Sequence, residues 1–360
     1  MKKTSNEKCS SCGANLTFDI VKQSLYCQYC GETKTLSSFR SLNKYPLSSL
    51  NKSENLNTES KIMRCANCGA QEVVDSQTIS VACPFCGSYK LTDTDELPGI
   101  KPNGLLPFLF SKNQIEDEFR RWIKSKKFRP NKLKNTKISS FNGVYTPCWV
   151  YDTSVSTEFS GRFYNEKKDS DGDTYRSYFN VSGSRGDIFK DVAVNVGDKI
   201  LEKDFNILKP FDFSKAVPYD SAYLLGFTAS HYAINADSAF NTAKKYIEKR
   251  VSDFIIATQH ADGCDSLNLN CTYHDSMYNY LLLPVWIMTY KYNDKEYRIM
   301  SNGQTGEIVG SAPRSMVKIS LAIILDLLLC VGIGALTYVG IGIAAFVISL
   351  IVLLVIIFTN

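Results

Sequence analysis

CSSCGANLTFDIVKQSLYCQYC, residues 9–30, and CANCGAQEVVDSQTISVACPFC, residues 65–86, carry the pattern that decides the N-terminal fold. Each holds two Cys-x-x-Cys pairs, and the intervals between the pairs, 13–26 and 69–82, are equal in length. The first set is Cys9, Cys12, Cys27 and Cys30; the second is Cys65, Cys68, Cys83 and Cys86. Every cysteine of the first set has its counterpart in the second at one constant offset. Gly13 and Gly31 recur at Gly69 and Gly87, and Ala14 and Asp19 recur at Ala70 and Asp75. The repeat is therefore of a whole module.

Two residues between cysteines let both thiolates of a pair reach one ion at about 2.3 Å. A glycine after the second cysteine tolerates the left-handed turn that such a knuckle needs. Two knuckles supply four thiolates and close a tetrahedral shell, with no position left for water or substrate, so the site is structural. Redox pairs or disulfides are the alternative, and eight cysteines in two identical registers weigh against them. The expectation is two zinc ribbons, at 6–35 and 61–92, with two Zn2+ per chain. Ribbons occur in nucleic-acid machines and in protein adaptors alike, so the pattern specifies the metal and leaves the partner open.

Working outward, residues 36–60 are rich in Ser, Asn and Lys, which predicts a flexible linker. The N-terminus is charged with no apolar stretch behind it, so no signal peptide is expected and the thiolates should stay reduced. The whole chain has 360 residues, a formal charge of +5 and 44% hydrophobic residues. That balance excludes a chain disordered throughout and does not by itself predict nucleic-acid binding.

Residues 98–312 read as one α+β domain. Ser111 and Gln114 form a capping-box pattern ahead of Ile115, Phe119, Trp122 and Ile123 at helical spacing. A second helix is expected near Asp237, with Phe240, Ala243, Ile247, Val251, Phe254 and Ile255 on one face. Strand-like runs lie at 144–159 and 280–292, and Asn293-Asp294 and Asn302-Gly303 are turn signals. The region echoes itself: Pro107–Lys112 resembles Pro210–Lys215, and Pro147-Cys148-Trp149 resembles Pro284-Val285-Trp286. Two related halves and a chance likeness of aromatic strands are both open readings.

Between Ile319 and Phe358 only Asp326 is charged. Forty helical residues would rise about 60 Å, twice a hydrocarbon core of about 30 Å. The expectation is a two-helix transmembrane hairpin at 319–358. Arg314 and Lys318 precede it, which places the bulk of the chain on the cytoplasmic side of a bacterial cytoplasmic membrane. Asp326 would then be an ionisable group inside a span, and the small residues of the hairpin would allow association through these helices.

Three other groupings carry weaker signals. His260, Cys264, Cys271 and His274 match no common metal template. Asp169, Asp171 and Asp173 lack the register and closing Glu of a calcium loop, and read as a solvated hairpin tip. Arg120, Arg121, Lys124, Lys126, Lys127, Arg129, Lys132, Lys134 and Lys137 form a stretch with no acidic residue. Such a patch suits lipid head groups, nucleic acid or an acidic partner, and equally a solvated helix face. No P-loop, nucleophile elbow or HExxH motif is present in the sequence, so no enzyme is expected.

The tandem ribbons, the Leu-Pro-Phe segment, the Tyr-Thr-Pro-Cys-Trp and Leu-Leu-Pro-Val-Trp strands and Asn302-Gly303-Gln304-Thr305-Gly306 before an apolar tail resemble one family. It is that of the bacterial double-zinc-ribbon membrane proteins with a transcription-factor-IIB-type ribbon. The resemblance implies zinc, a membrane anchor and an adaptor that recruits a cytoplasmic protein partner. Some members are linked to phage-shock-type envelope stress systems. A membrane-tethered nucleic-acid-binding protein is the alternative.

Overall fold

The structure is a computed structural model. It describes residues 8–14, 16–36, 42–50, 102–197, 200–208, 210–230 and 232–336, position 347, and the backbone of strands 60–65, 71–75 and 91–93.

A small antiparallel sheet comes first: β1 (Leu16–Asp19), β2 (Ser24–Cys27) and β3 (Thr33–Thr35). Then follow β4 (Tyr45–Pro46), β5 (Ser60–Cys65), β6 (Gln71–Asp75), β7 (Leu91–Asp93), β8 (Gly104–Leu105) and helix α1 (Lys112–Ser125). The body is built on β9 (Ile138–Lys168) and β10 (Thr174–Asn195), then α2 (Glu202–Leu208), β11 (Val217–Pro218), β12 (Thr228–Ser230) and α3 (Ala236–Thr258). It closes with β13 (Gly263–Tyr292), β14 (Lys295–Asn302), β15 (Ile308–Gly310) and α4 (Met316–Leu336).

The α+β expectation is corrected. Among the described residues 44% lie in strands, most of them in one large, mainly antiparallel sheet. The reason lies in β9, β10 and β13, which run for 31, 22 and 30 residues. β9 pairs with β13 from Ile138↔Tyr290 to Tyr164↔Gly263, and with β10 across the hairpin from Lys168↔Thr174. Along 144–151 every residue of β9 is buried, because both faces of the sheet are covered there. One face carries Tyr145, Trp149, Tyr151 and Trp286 against α1 and α3; the other packs Val150, Ala193 and Val285 against Phe205 and Leu208 of α2. Farther out, from Val155 to Glu158, burial alternates, since only α3 covers that part.

The body has an internal two-fold. β8 pairs in parallel with β13 at Gly104↔Leu281, and β12 pairs in parallel with β9 at Thr228↔Val144. Each short strand thus lies beside the long strand of the other half. The buried Ile115, Phe119 and Ile123 of α1 stand in the same order and spacing as the buried Ala239, Ala243 and Ile247 of α3. Trp286 Nε1 donates to the carbonyl of Phe110 (2.8 Å), and Trp149 Nε1 to that of Ile234 (3.1 Å). Each acceptor directly precedes the N-cap of its helix, Ser111 or Asn235. The echo between Pro107–Lys112 and Pro210–Lys215 has another origin. Both segments dock on the Asn302–Gln304 turn, the first through the Gly303 carbonyl, which accepts from Leu109 N (2.8 Å) and Phe110 N (3.0 Å). The second docks through Asn302 Nδ2 to the Pro210 carbonyl (3.3 Å) and Gln304 Nε2 to that of Asp212 (3.0 Å).

The expected transmembrane hairpin at 319–358 is also corrected. Among the described residues no helix is long and apolar enough to cross a membrane. α4 carries Lys318 in its first turn and the Asp326 carboxyl near its middle, both costly in a hydrocarbon core. The second expected span, 341–358, lies outside the described residues apart from position 347. The placement in a bacterial cytoplasmic membrane with two spans rested on that hairpin and falls with it.

Candidate metal centre

Two knuckles with the same hydrogen bonds build the first site. Gly13 N donates to the Cys9 carbonyl (2.9 Å) and Cys9 N to that of Ala14 (2.8 Å). Gly31 N donates to the Cys27 carbonyl (3.0 Å) and Cys27 N to that of Glu32 (2.9 Å). Gly13 and Gly31 take the left-handed conformation, at φ of 74° and 78°. The β1–β2 hairpin brings the knuckles together.

The four Sγ atoms of Cys9, Cys12, Cys27 and Cys30 lie within 4.8 Å of one another. Cys9 and Cys30 approach to 3.3 Å, and Cys12 and Cys27 to 3.5 Å. Four sulfurs around Zn2+ at about 2.3 Å would stand about 3.8 Å apart, so the set fits a tetrahedral ion. Cys9 and Cys27 are buried, while Cys12 and Cys30 face solvent. The backbone N–H of Cys30, against the opposing pull of burial, holds the Cys27 thiol down to about 6. Glu32 lies behind the site: the Cys9 thiol (2.9 Å), Ser11 N (3.1 Å) and Ser10 Oγ (2.8 Å) all donate to its carboxylate. These donors hold Glu32 down to about 2. Once Cys9 is a metal-bound thiolate, the two serine donors remain to anchor Glu32 and with it the second knuckle.

The ribbon is fused to the body. Phe18 N donates to the Leu225 carbonyl (3.1 Å), and the Phe18 ring lies 5.0 Å from Tyr223 and 6.5 Å from Phe227. Gln23 Nε2 donates to the Phe108 carbonyl (2.8 Å). Phe108 stacks on Phe227 at 4.5 Å and meets Trp286 at 4.9 Å and Tyr145 at 5.1 Å. Neither Phe18 nor Glu32 carries a sequence signal. The counterpart of Glu32 in the second motif is Ser88, so the repeat does not mark it.

Of the second set, Cys65 ends β5, and Cys68, Cys83 and Cys86 lie outside the described residues. β6 ends at Asp75, the counterpart of the Asp19 that ends β1. β6 pairs with β12 at Val73↔Ala229, which joins the second module to the main sheet. The first docks a few residues earlier in the same segment, at Leu225. Part of the expected linker is docked too. Tyr45 and Pro46 pair with Tyr278 and Met277, and Lys44 Nζ bridges Asp152 (2.5 Å) and Asp191 (3.0 Å).

The remaining candidates do not gather into sites. Cys264 and Cys271 lie seven residues apart on one strand, a separation of about 23 Å, so with His260 and His274 they do not converge. Asp169 Oδ1 accepts from Asp171 N (3.0 Å) and Asp173 N (2.9 Å), closing the β9–β10 hairpin tip. The basic stretch loses Arg129, which is buried and donates through Nε to the Ile123 carbonyl at the end of α1. Lys126 is half-buried over the Trp122 ring (5.4 Å), and Arg121 pairs with Glu118 (2.9 Å). Arg120, Lys124, Lys127, Lys132, Lys134 and Lys137 stay exposed. Asp326 is half-buried about three turns into α4.

No family model matches the chain. An uncharacterised protein of Bacillus subtilis (strain 168), YdjG, is 28% identical over 330 residues, which cover 87% of this chain and 91% of that relative. The similarity thus extends well beyond the ribbons. No solved structure matches.

Proposed function

We propose that the chain is a zinc-stabilised, non-catalytic adaptor in which two Zn2+ per chain, one per ribbon, hold rigid modules that present a docking surface to a protein partner. The observation that carries this reading lies at the tip of the first ribbon. The closed thiolate site fixes a knuckle whose Tyr29 is 84% exposed. Large side chains held rigid and bare are typical anchors of protein interfaces. Phe85 takes the place of Tyr29 in the second motif. The test compares the full chain with Tyr29→Ala in affinity capture at high salt. A recurring protein retained by the parent and lost from the variant, at unchanged zinc content, is expected. Equal retention by both would remove the reading.

A second reading, binding of nucleic acid along residues 120–137, draws on the exposed cations Arg120, Arg121, Lys124, Lys127, Lys132, Lys134 and Lys137. It requires an affinity that falls steeply with salt. Lys124→Glu with Lys127→Glu should then abolish binding to DNA or RNA, and binding that ignores these changes would exclude it.

A further inference from the structure

We infer that the first ribbon is a metal-dependent cover over an aromatic surface of the body, so that zinc occupancy decides whether Tyr223 and Phe227 are shielded. The inference rests on the zinc reading above and adds what the metal controls.

The ribbon is too small to hold itself. Its own apolar core consists of Leu16, Phe18 and Leu25 beside Cys9 and Cys27, all buried. A segment of this size takes most of its folding free energy from the metal. Most of the body's core lies away from it. Trp149, Tyr151, Tyr280 and Tyr290 are buried by other elements of the sheet and by α3. Between the two lies a narrow contact made of Phe18 on Tyr223 and Phe227, one backbone bond to Leu225, and Gln23 on the Phe108 carbonyl.

What the cover hides is chemically distinct. Phe227 and Phe108 stack at 4.5 Å, next to Tyr145 and Trp286. An apolar surface of this kind is rarely left bare unless something docks on it. Its occupant in the metal-loaded chain is residues 16–25 of the same chain. The 107–110 segment also sets the start of α1, since Phe110 supplies the carbonyl that Trp286 holds. Loss of the metal therefore frees the ribbon, loosens this segment and leaves the long strands in place.

The experiment uses the full chain and three variants, Cys27→Ser, Cys65→Ser and Phe18→Ala, with zinc content and amide hydrogen exchange read on the same samples. Cys27→Ser should lose one zinc and exchange about tenfold faster at 107–110 and 222–227, with 280–288 unchanged. Cys65→Ser should lose the other zinc without opening those two segments. Phe18→Ala should keep its zinc and open them, because the cover is detached though folded. If Cys27→Ser loses its zinc and both segments stay protected, the cover is refuted while the zinc reading stands. If 280–288 opens equally, the ribbon belongs to one cooperative core and the cover is again refuted. Zinc content unchanged in Cys27→Ser would overturn the zinc reading itself.

Discussion

The first ribbon encloses Leu16, Phe18 and Leu25 between strands of four, four and three residues, whereas the body beneath it rests on strands of 31, 22 and 30. In the ribbon, four thiolates must replace the apolar area that short strands cannot bury. In the body, paired strands covered on both faces bury enough by themselves. On the proposed zinc reading, the difference teaches that one chain holds two kinds of stability, one set by metal and one by packing. They meet at Phe108.

The sharpest way to break that comparison is Cys12→Ser. It should remove one zinc and forfeit ribbon folding free energy on the order of 10 kcal/mol, while the urea midpoint of the body stays put. A body that unfolds with the ribbon would erase the distinction. Phe108→Ala comes next. It empties a fully buried site between Tyr145, Phe227 and Trp286 and should cost the body about 3–5 kcal/mol in urea unfolding, with zinc retained. Gly143→Ala is smaller. Its new Cβ would stand 2.4 Å from Phe227 Cδ1, and the forced shift should cost about 1–3 kcal/mol by the same measurement. Ser111→Ala should cost about 1 kcal/mol, because it removes the Oγ that donates to Gln114 Oε1 (2.8 Å) in a capping box that serves α1 alone. A larger loss, or any change in zinc content, would show that α1 and the ribbon are more tightly coupled than this account holds.

What could be read in advance was what is local. A Cys-x-x-Cys-Gly knuckle declares its ligands over a few positions, and the first set is assembled in the structure as its spacing implied. The capping box at Ser111 and the Asn293-Asp294 turn, both residues at positive φ, are just as short. Strand length was hidden, because the pairing of Ile138 with Tyr290 joins distant parts of the chain and no local pattern records it. The run at 144–151 lacks alternation, which fits a strand covered on both faces but does not by itself separate it from a buried helix segment. The apolar tail misled in the opposite direction. Its composition suggested spans, and the described helix, with Asp326 at its middle, does not meet the requirement for one. Phe18 and Gln23 were invisible as docking residues, since the Phe227 and Phe108 they touch lie far along the chain. The Pro-x-Trp echo marked the two-fold, while the Pro-Phe-x-Phe-Ser-Lys echo marked two segments that share one turn.

The central claim, that Cys9, Cys12, Cys27 and Cys30 close around zinc, is tested most directly by X-ray absorption at the zinc edge. The sample is the full chain carrying Cys65→Ser and Cys68→Ser, which confines metal to the first ribbon. The account predicts one zinc per chain with four sulfur neighbours at about 2.3 Å and no light-atom ligand. A shell containing oxygen or nitrogen, or a chain that binds no zinc when fully reduced, would contradict it.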